Sequence, residues 1–115
     1  MKTQNKIEFL ENVLNDKAYV NLFEYIYKNK KSIFTEQELI NQIPDKNSNG
    51  QNIDKTLLLS HLVRAGLLDK SGLSGNRSYR RLKITNEKFR NKINTLNMNY
   101  SIKKSLIIGM TEHNI

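Results

Sequence analysis

Apolar residues along most of the chain fall at three- and four-residue intervals, the repeat of a helix with one buried face. This spacing predicts helices over residues 7–14, 17–30, 36–43 and 54–65, and a last helical region after residue 85. Residues 67–70 and 77–84 instead have the composition of two short strands. The turn between them, residues 71–76, contains two glycines, so the pair predicts a β-hairpin.

The start of the third predicted helix carries the clearest local signal. Thr35 and Glu38 have the spacing of a capping box, and Phe34 and Leu39 have that of a hydrophobic staple. The helix must end before Pro44, because proline disfavours helical backbone in the residue that precedes it.

The ends of the other helices are marked less uniquely. Asp16 can cap the second helix, and either Asn52 or Asp54 can cap the fourth. Gly66 suits the position after the last turn of the fourth helix. The polar loop 45–51 is longer than the tight turn of a simple helix-turn-helix, so the angle between the third and fourth helices stays open.

The chain has 115 residues and a net charge of +8. We expect one domain, with an N-terminal helix over 1–15, a core over 16–85 and a C-terminal helical extension over 86–115. Residues 76–104 contain nine Lys and Arg residues and a single Glu, so the excess charge is concentrated there. Such one-sided charge attracts polyanions, although a merely solvated basic surface is the alternative.

Several kinds of chemistry find no support in the sequence. Cysteine is absent, and His61 and His113 lie too far apart in sequence to suggest a transition-metal site. No nucleophile elbow, phosphate-binding loop or zinc-protease motif is found, so we expect no enzyme activity and no cofactor. No apolar run could span a bilayer, and we expect an unexported, cytoplasmic protein that does not bind membranes.

The segment LSHLVRAGLLDKSGLSGNRSYRRLKI resembles the recognition-helix end and wing of ArsR- and MarR-type bacterial regulators. The matching positions are Leu59, Leu62, Gly66, Leu67, Gly75, Arg77 and Tyr79. The resemblance implies a winged helix-turn-helix: a mainly α fold with a small β-hairpin, comprising a three- to four-helix core, a basic wing and a C-terminal helical region.

In that fold the fourth helix enters the major groove and the wing contacts the flanking DNA. The candidate DNA-binding residues on and before the helix are Gln51, Asn52, Lys55, Thr56 and Ser60. Those on the wing are Arg77, Tyr79, Arg80, Arg81 and Lys83. Three have alternative roles: Asn52 as a helix cap, Tyr79 in packing on the hairpin, and Arg80 over the core edge or paired with an acid.

Two residues depart from the pattern that the resemblance implies. Leu57 stands where a polar or basic groove-facing residue is usual, and Asp54 adds a negative charge that phosphate would repel. Base-specific contacts are therefore less supported than backbone contacts.

Three functions follow from these observations. The first is sequence-specific binding of double-stranded DNA as a small transcriptional repressor. It would act as a homodimer, because the apolar stripes of the terminal helices exceed what one small core must bury; a monomer with the stripes folded back is the alternative. The second is a plasmid, phage or mobile-element protein for partition, replication or single-strand handling. The third is a protein-interaction module that exposes Leu57 and part of the Leu58–Leu59 pair.

Overall fold

A computed structural model describes residues 3–73, 76–83 and 87–111. The helices are α1 (Thr3–Asn12), α2 (Val20–Lys28), α3 (Glu36–Ile40), α4 (Lys55–Arg64), α5 (Glu87–Lys92) and α6 (Tyr100–Thr111). The strands are β1 (Ile33–Thr35), β2 (Leu68–Ser71) and β3 (Ser78–Arg81). Short 3₁₀ turns at Lys17–Tyr19 and Ile93–Thr95 precede α2 and α6.

The three strands form one antiparallel sheet in the order β1-β3-β2, with β3 in the centre. The prediction of a two-stranded hairpin was therefore incomplete. Strand β1 is only three residues long, too short to show an alternating pattern, and its partner lies far away in the sequence. Phe34 is buried and pairs with Tyr79, so the residue predicted as a staple also belongs to the sheet.

The helices lie close to their predicted positions, with one division. The predicted helix 17–30 begins as a 3₁₀ turn and becomes α-helical only at Val20. As predicted, Asp16 caps this segment, and its carboxylate accepts a hydrogen bond of 2.9 Å from the Ala18 amide. The capping box of Thr35 and Glu38 is present at the start of α3.

Both ends of α4 are fixed by local hydrogen bonds. Asp54, not Asn52, is the cap, because its carboxylate accepts from the Leu57 amide at 3.0 Å. At the other end Gly66 has a φ of 80°. The amides of Gly66 and Leu67 bond back to Val63 and Leu62, the pattern by which a left-handed glycine closes a helix.

One hydrophobic core joins the helices to the inner face of the sheet. Helix α2 provides Leu22, Phe23, Ile26 and Tyr27, and α6 packs against it. Leu58 and Leu59 are buried at 3% and 0% exposure, so the prediction that this pair is partly exposed is wrong. They lie on the side of α4 that faces the core.

The terminal apolar stripes are also buried within the single chain. Their buried members are Ile7, Leu10, Leu14, Ile102 and Leu106, whereas the Met110 side chain lies outside the described residues. Surplus apolar surface on these stripes therefore no longer argues for a dimer. No helix in the described ranges is long and apolar enough to cross a membrane.

Candidate nucleic-acid interface

The long loop before α4 is a tightly bonded turn. The Asn47 side-chain oxygen accepts from the amides of Asn49 and Gln51 at 2.9 and 3.0 Å. Gly50 supplies the positive φ of 79° that the turn requires. The Asp16 carboxylate accepts a further bond of 3.0 Å from the Ser48 hydroxyl. The loop whose length left the angle between α3 and α4 unpredicted is thus held by its own polar residues and by Asp16.

The candidate residues around the start of α4 are mostly exposed, but two have partners. Gln51, Asn52 and Thr56 are exposed, and Ser60 is partly buried. The Gln51 side-chain oxygen accepts a hydrogen bond of 3.2 Å from the side-chain nitrogen (Nδ2) of Asn47. Lys55 forms a 2.9 Å ion pair with Asp45, and this contact holds the pKa of the Asp45 carboxyl below its usual value.

Helix α4 divides into a buried side and an outer side. Leu58, Leu59 and Leu62 point into the core. At 3.6 residues per turn, Thr56 and Ser60 lie on the opposite side, one turn apart. Leu57 is beside them at 50% exposure. The outer side therefore combines two hydroxyl groups with one exposed leucine.

The two faces of β3 differ sharply in burial. Tyr79 and Arg81 are only 1% and 9% exposed, whereas Arg80 between them is exposed. Because side chains alternate along a strand, Tyr79 and Arg81 lie on the same face. The prediction that these two residues contact nucleic acid does not fit the structure, because their face packs against the helices.

Arg81 is hydrogen-bonded to the main chain in the last turn of α2 and just after it. Its Nη1 atom donates to the carbonyl oxygens of Ile26, Asn29 and Lys31 at 2.6, 3.1 and 3.1 Å. Carbonyl groups at the end of a helix lack helical partners and attract a cation. Burial lowers the pKa of the Arg81 guanidinium. The prediction that Arg81 contacts DNA is therefore wrong, because its guanidinium is bonded inside the protein.

Tyr79 is likewise an internal residue. Its hydroxyl donates to the Glu36 carboxylate at 3.3 Å, which ties the centre of the sheet to the start of α3. Burial, and then the charge of Glu36, raise the pKa of the Tyr79 hydroxyl. Packing, the alternative role given to this residue, is what the structure shows.

Three of the four candidate cations on the hairpin remain available to a ligand. Arg80 lies opposite Asp69 in the sheet and forms a 3.2 Å ion pair with it, both side chains being more than half exposed. Lys83 is exposed after the end of β3. Arg77 is partly buried near the Tyr79 hydroxyl, and its main-chain oxygen accepts from the Glu36 amide at 3.1 Å.

His61 packs within the protein. Its ring meets Phe9 edge to face, with ring centres 5.2 Å apart, and its Nδ1 atom is buried without a hydrogen-bond partner among the described residues. Burial, and then the nearby Arg64 charge, lower the pKa of the imidazole. Within the described part of the chain, no three His, Cys, Asp or Glu side chains group as metal ligands. His113 lies outside that part.

Ser32, which was not predicted to belong to a site, lines a cavity of about 290 Å³ together with Arg80, Arg81, Leu82 and Lys83. The strand pairing that brings Ser32 to β3 depends on β1, which the sequence pattern did not reveal.

Comparisons with protein-family models, curated proteins and solved structures find no match to this chain. The arguments for its function therefore depend on its own residues and their arrangement.

Proposed function

We propose that this chain is a winged helix-turn-helix protein that binds double-stranded DNA. The observation that carries the proposal is the succession α2, β1, α3, α4, β2, β3, with the three strands in one antiparallel sheet. In a winged helix the helix before the hairpin enters the major groove and the hairpin lies along the flanking DNA. Here that helix is α4, whose outer side is free of core contacts at Thr56.

The contacts divide into two kinds. Asn52, Thr56 and Ser60 carry hydrogen-bonding groups around the first turns of α4 and suit base edges. Arg77, Arg80 and Lys83 suit phosphate, which positions the protein without identifying sequence. Gln51 and Lys55 can contact DNA only if they give up their present contacts to Asn47 and Asp45.

The charge distribution supports a large electrostatic component. Cations continue beyond the hairpin into α5, where Lys88, Arg90 and Lys92 are exposed. Neutralising phosphates releases condensed counterions, so affinity falls as salt rises. A small protein that occupies a DNA site excludes others from it, and we therefore infer that it acts as a transcriptional repressor. The proposal includes binding as a homodimer to a palindromic site.

Fluorescence anisotropy with labelled duplex and single-stranded DNA of the same sequence tests the proposal. We expect the duplex to bind more tightly than the single strand, with affinity decreasing as salt is added. Tighter binding of the single strand would instead favour the strand-handling function. No binding of either near physiological salt would contradict DNA binding altogether.

Comparing the affinity for different duplex sequences tests the role of α4 directly. A Thr56→Ala/Ser60→Ala variant removes two hydroxyl groups from its outer side without altering charge. If α4 reads base edges, this variant reduces discrimination between duplex sequences more than it reduces binding to random duplex. An equal loss of affinity for all duplex sequences would mean that these residues contact the DNA backbone instead of base edges.

A further inference from the structure

A cavity lies at the base of the sheet, where the chain entering β1 meets the end of β3. Its volume is about 290 Å³, and Ser32, Arg80 and Lys83 are among the residues that line it. A water molecule occupies about 30 Å³ in the liquid, so the cavity is large enough for a tetrahedral oxyanion with part of its carrier.

The walls of this cavity are fixed by hydrogen bonds. The Arg81 amide donates to the Ser32 carbonyl at 2.8 Å, and the Leu82 amide donates to the Leu67 carbonyl at 3.0 Å. The Arg81 side chain adds its bond to the Lys31 carbonyl at 3.1 Å. Ser32 and the residues that end β3 are therefore held in place before any ligand arrives, which reduces the entropic cost of binding.

Beside Leu82 and the internally bonded Arg81, the cavity is lined by two cations and one hydroxyl group, all of which are hydrogen-bond donors. Lys83 carries three N–H donors, Arg80 carries five, and Ser32 contributes a hydroxyl. No ion pair involving Lys83 is found within residues 3–73, 76–83 and 87–111. Arg80 contacts Asp69 through one nitrogen only. Charged donors on a rigid frame favour phosphate, which accepts several such bonds at once.

We propose that this cavity binds a phosphate group, carried either by a nucleic-acid backbone or by a small phosphorylated molecule. The backbone source rests on the proposed function, whereas the small-molecule source does not. The site is separate from the hairpin turn, since Lys83 follows Arg77 by up to about 20 Å of extended chain. A backbone phosphate held here would extend the contact surface from the turn to the base of the hairpin.

Asp69 sets the strength of the site. Its carboxylate competes with an incoming anion for Arg80 and repels that anion. An Asp69→Asn substitution removes the negative charge and keeps a side chain of nearly the same shape. It should therefore tighten phosphate binding, opposite to the effect of removing a cation.

The test uses the full chain labelled with ¹⁵N and titrated with sodium phosphate, with sodium chloride at matched ionic strength as the reference. Phosphate should shift the amide signals of Ser32 and Lys83. Lys83→Ala and Arg80→Ala should each weaken this binding about five- to tenfold, and Asp69→Asn should strengthen it two- to fivefold. Lys17→Ala is the matched control, because it removes one exposed cation at the opposite end of α2.

Titration with random duplex DNA then separates the two sources. If DNA shifts the same two signals and phosphate competes with it, the site serves the backbone. If phosphate binds there and DNA leaves both signals unchanged, the ligand is a small phosphorylated molecule, and this holds even if the chain binds no DNA. Shifts that chloride reproduces, or a loss as large in Lys17→Ala as in Lys83→Ala, would overturn the proposal.

Discussion

The Nη1 atom of Arg81 lies 2.6 Å from the main-chain oxygen of Ile26, in the interior beside the end of α2. A residue in the most basic part of the sequence thus uses its charge to join the sheet to a helix. The same nitrogen also serves the carbonyls of Asn29 and Lys31. Fewer cations of this segment are therefore available to a polyanion than the sequence contains.

Replacing Arg81 should reduce the stability of the fold. Arg81→Met keeps most of the apolar stem but leaves buried carbonyl groups without their charged donor. We expect a loss of about 2–3 kcal/mol in the free energy of unfolding, measured by urea denaturation. Arg80→Ala, one residue away and exposed, should lose less than about 0.5 kcal/mol. Equal stability of the two variants would show that the internal bonds of Arg81 contribute little.

The contrast between Arg80 and Arg81 shows what the sequence could and could not give. Alternation along a strand puts the two side chains on opposite faces in any fold, because it depends only on local geometry. Which side faces the core depends on where the helices pack. The burial of Tyr79 and Arg81 shows that their side of β3 is the one that faces the core.

The cap of α4 gives a direct comparison between two residues that the sequence left equivalent. Asp54→Ala removes the side-chain bond to the Leu57 amide and should reduce stability by about 1 kcal/mol. Asn52→Ala removes no cap and should change stability much less. Thermal unfolding of the two variants is the measurement. A larger loss from Asn52→Ala would contradict the assignment of Asp54 as the cap.

Two turn glycines with similar backbone angles should respond differently to alanine. Gly50 has a φ of 79° and no atom within 4 Å of the position of an added Cβ. Gly72 has a φ of 91°, and an added Cβ would lie 2.5 Å from the Asn76 main-chain oxygen. Gly50→Ala should cost about 1–2 kcal/mol from the left-handed conformation alone.

Gly72→Ala should cost about 1–3 kcal/mol more, because the backbone of the turn must move. Denaturant unfolding of both variants measures the difference. Equal losses would indicate that the hairpin turn has a different conformation from the one described.

His61 should make stability depend on pH. Its pKa is lowered in the folded protein from the usual 6.5, so the unfolded chain takes up the proton first as the pH falls. Stability contributed by the neutral ring is complete above about pH 6.5 and decreases on acidification towards the folded pKa. His61→Gln should lose less stability than the wild type between about pH 8 and pH 5.5.

Denaturation curves at the two pH values measure this difference. Carboxyl groups common to both proteins cancel in the comparison. An identical loss in the two proteins would mean that His61 has the same proton affinity folded and unfolded.

The local features of the fold were the most predictable from sequence. The capping box of Thr35 and Glu38 depends only on residues within one helical turn. The same is true of Gly66, which ends α4. Other features could not be predicted. The pairing of β1 and the inward side chain of Arg81 depend on residues distant in sequence, and the conformation of the loop around Asn47 depends on a network of polar hydrogen bonds. For the candidate site this meant that the segment was identified, while two of its five hairpin residues proved to be internal.

The most direct test of DNA binding through the hairpin is the salt dependence of affinity. Anisotropy titrations at several salt concentrations would compare wild type, Arg77→Ala/Arg80→Ala, and Lys103→Ala/Lys104→Ala as a control that removes the same charge from α6. With a slope of about −0.9 per phosphate neutralised, the hairpin variant should have a slope shallower by about 1.8, and the α6 variant should match the wild type. Equal slopes for the two variants would contradict the account, because the charge would then act without regard to its position.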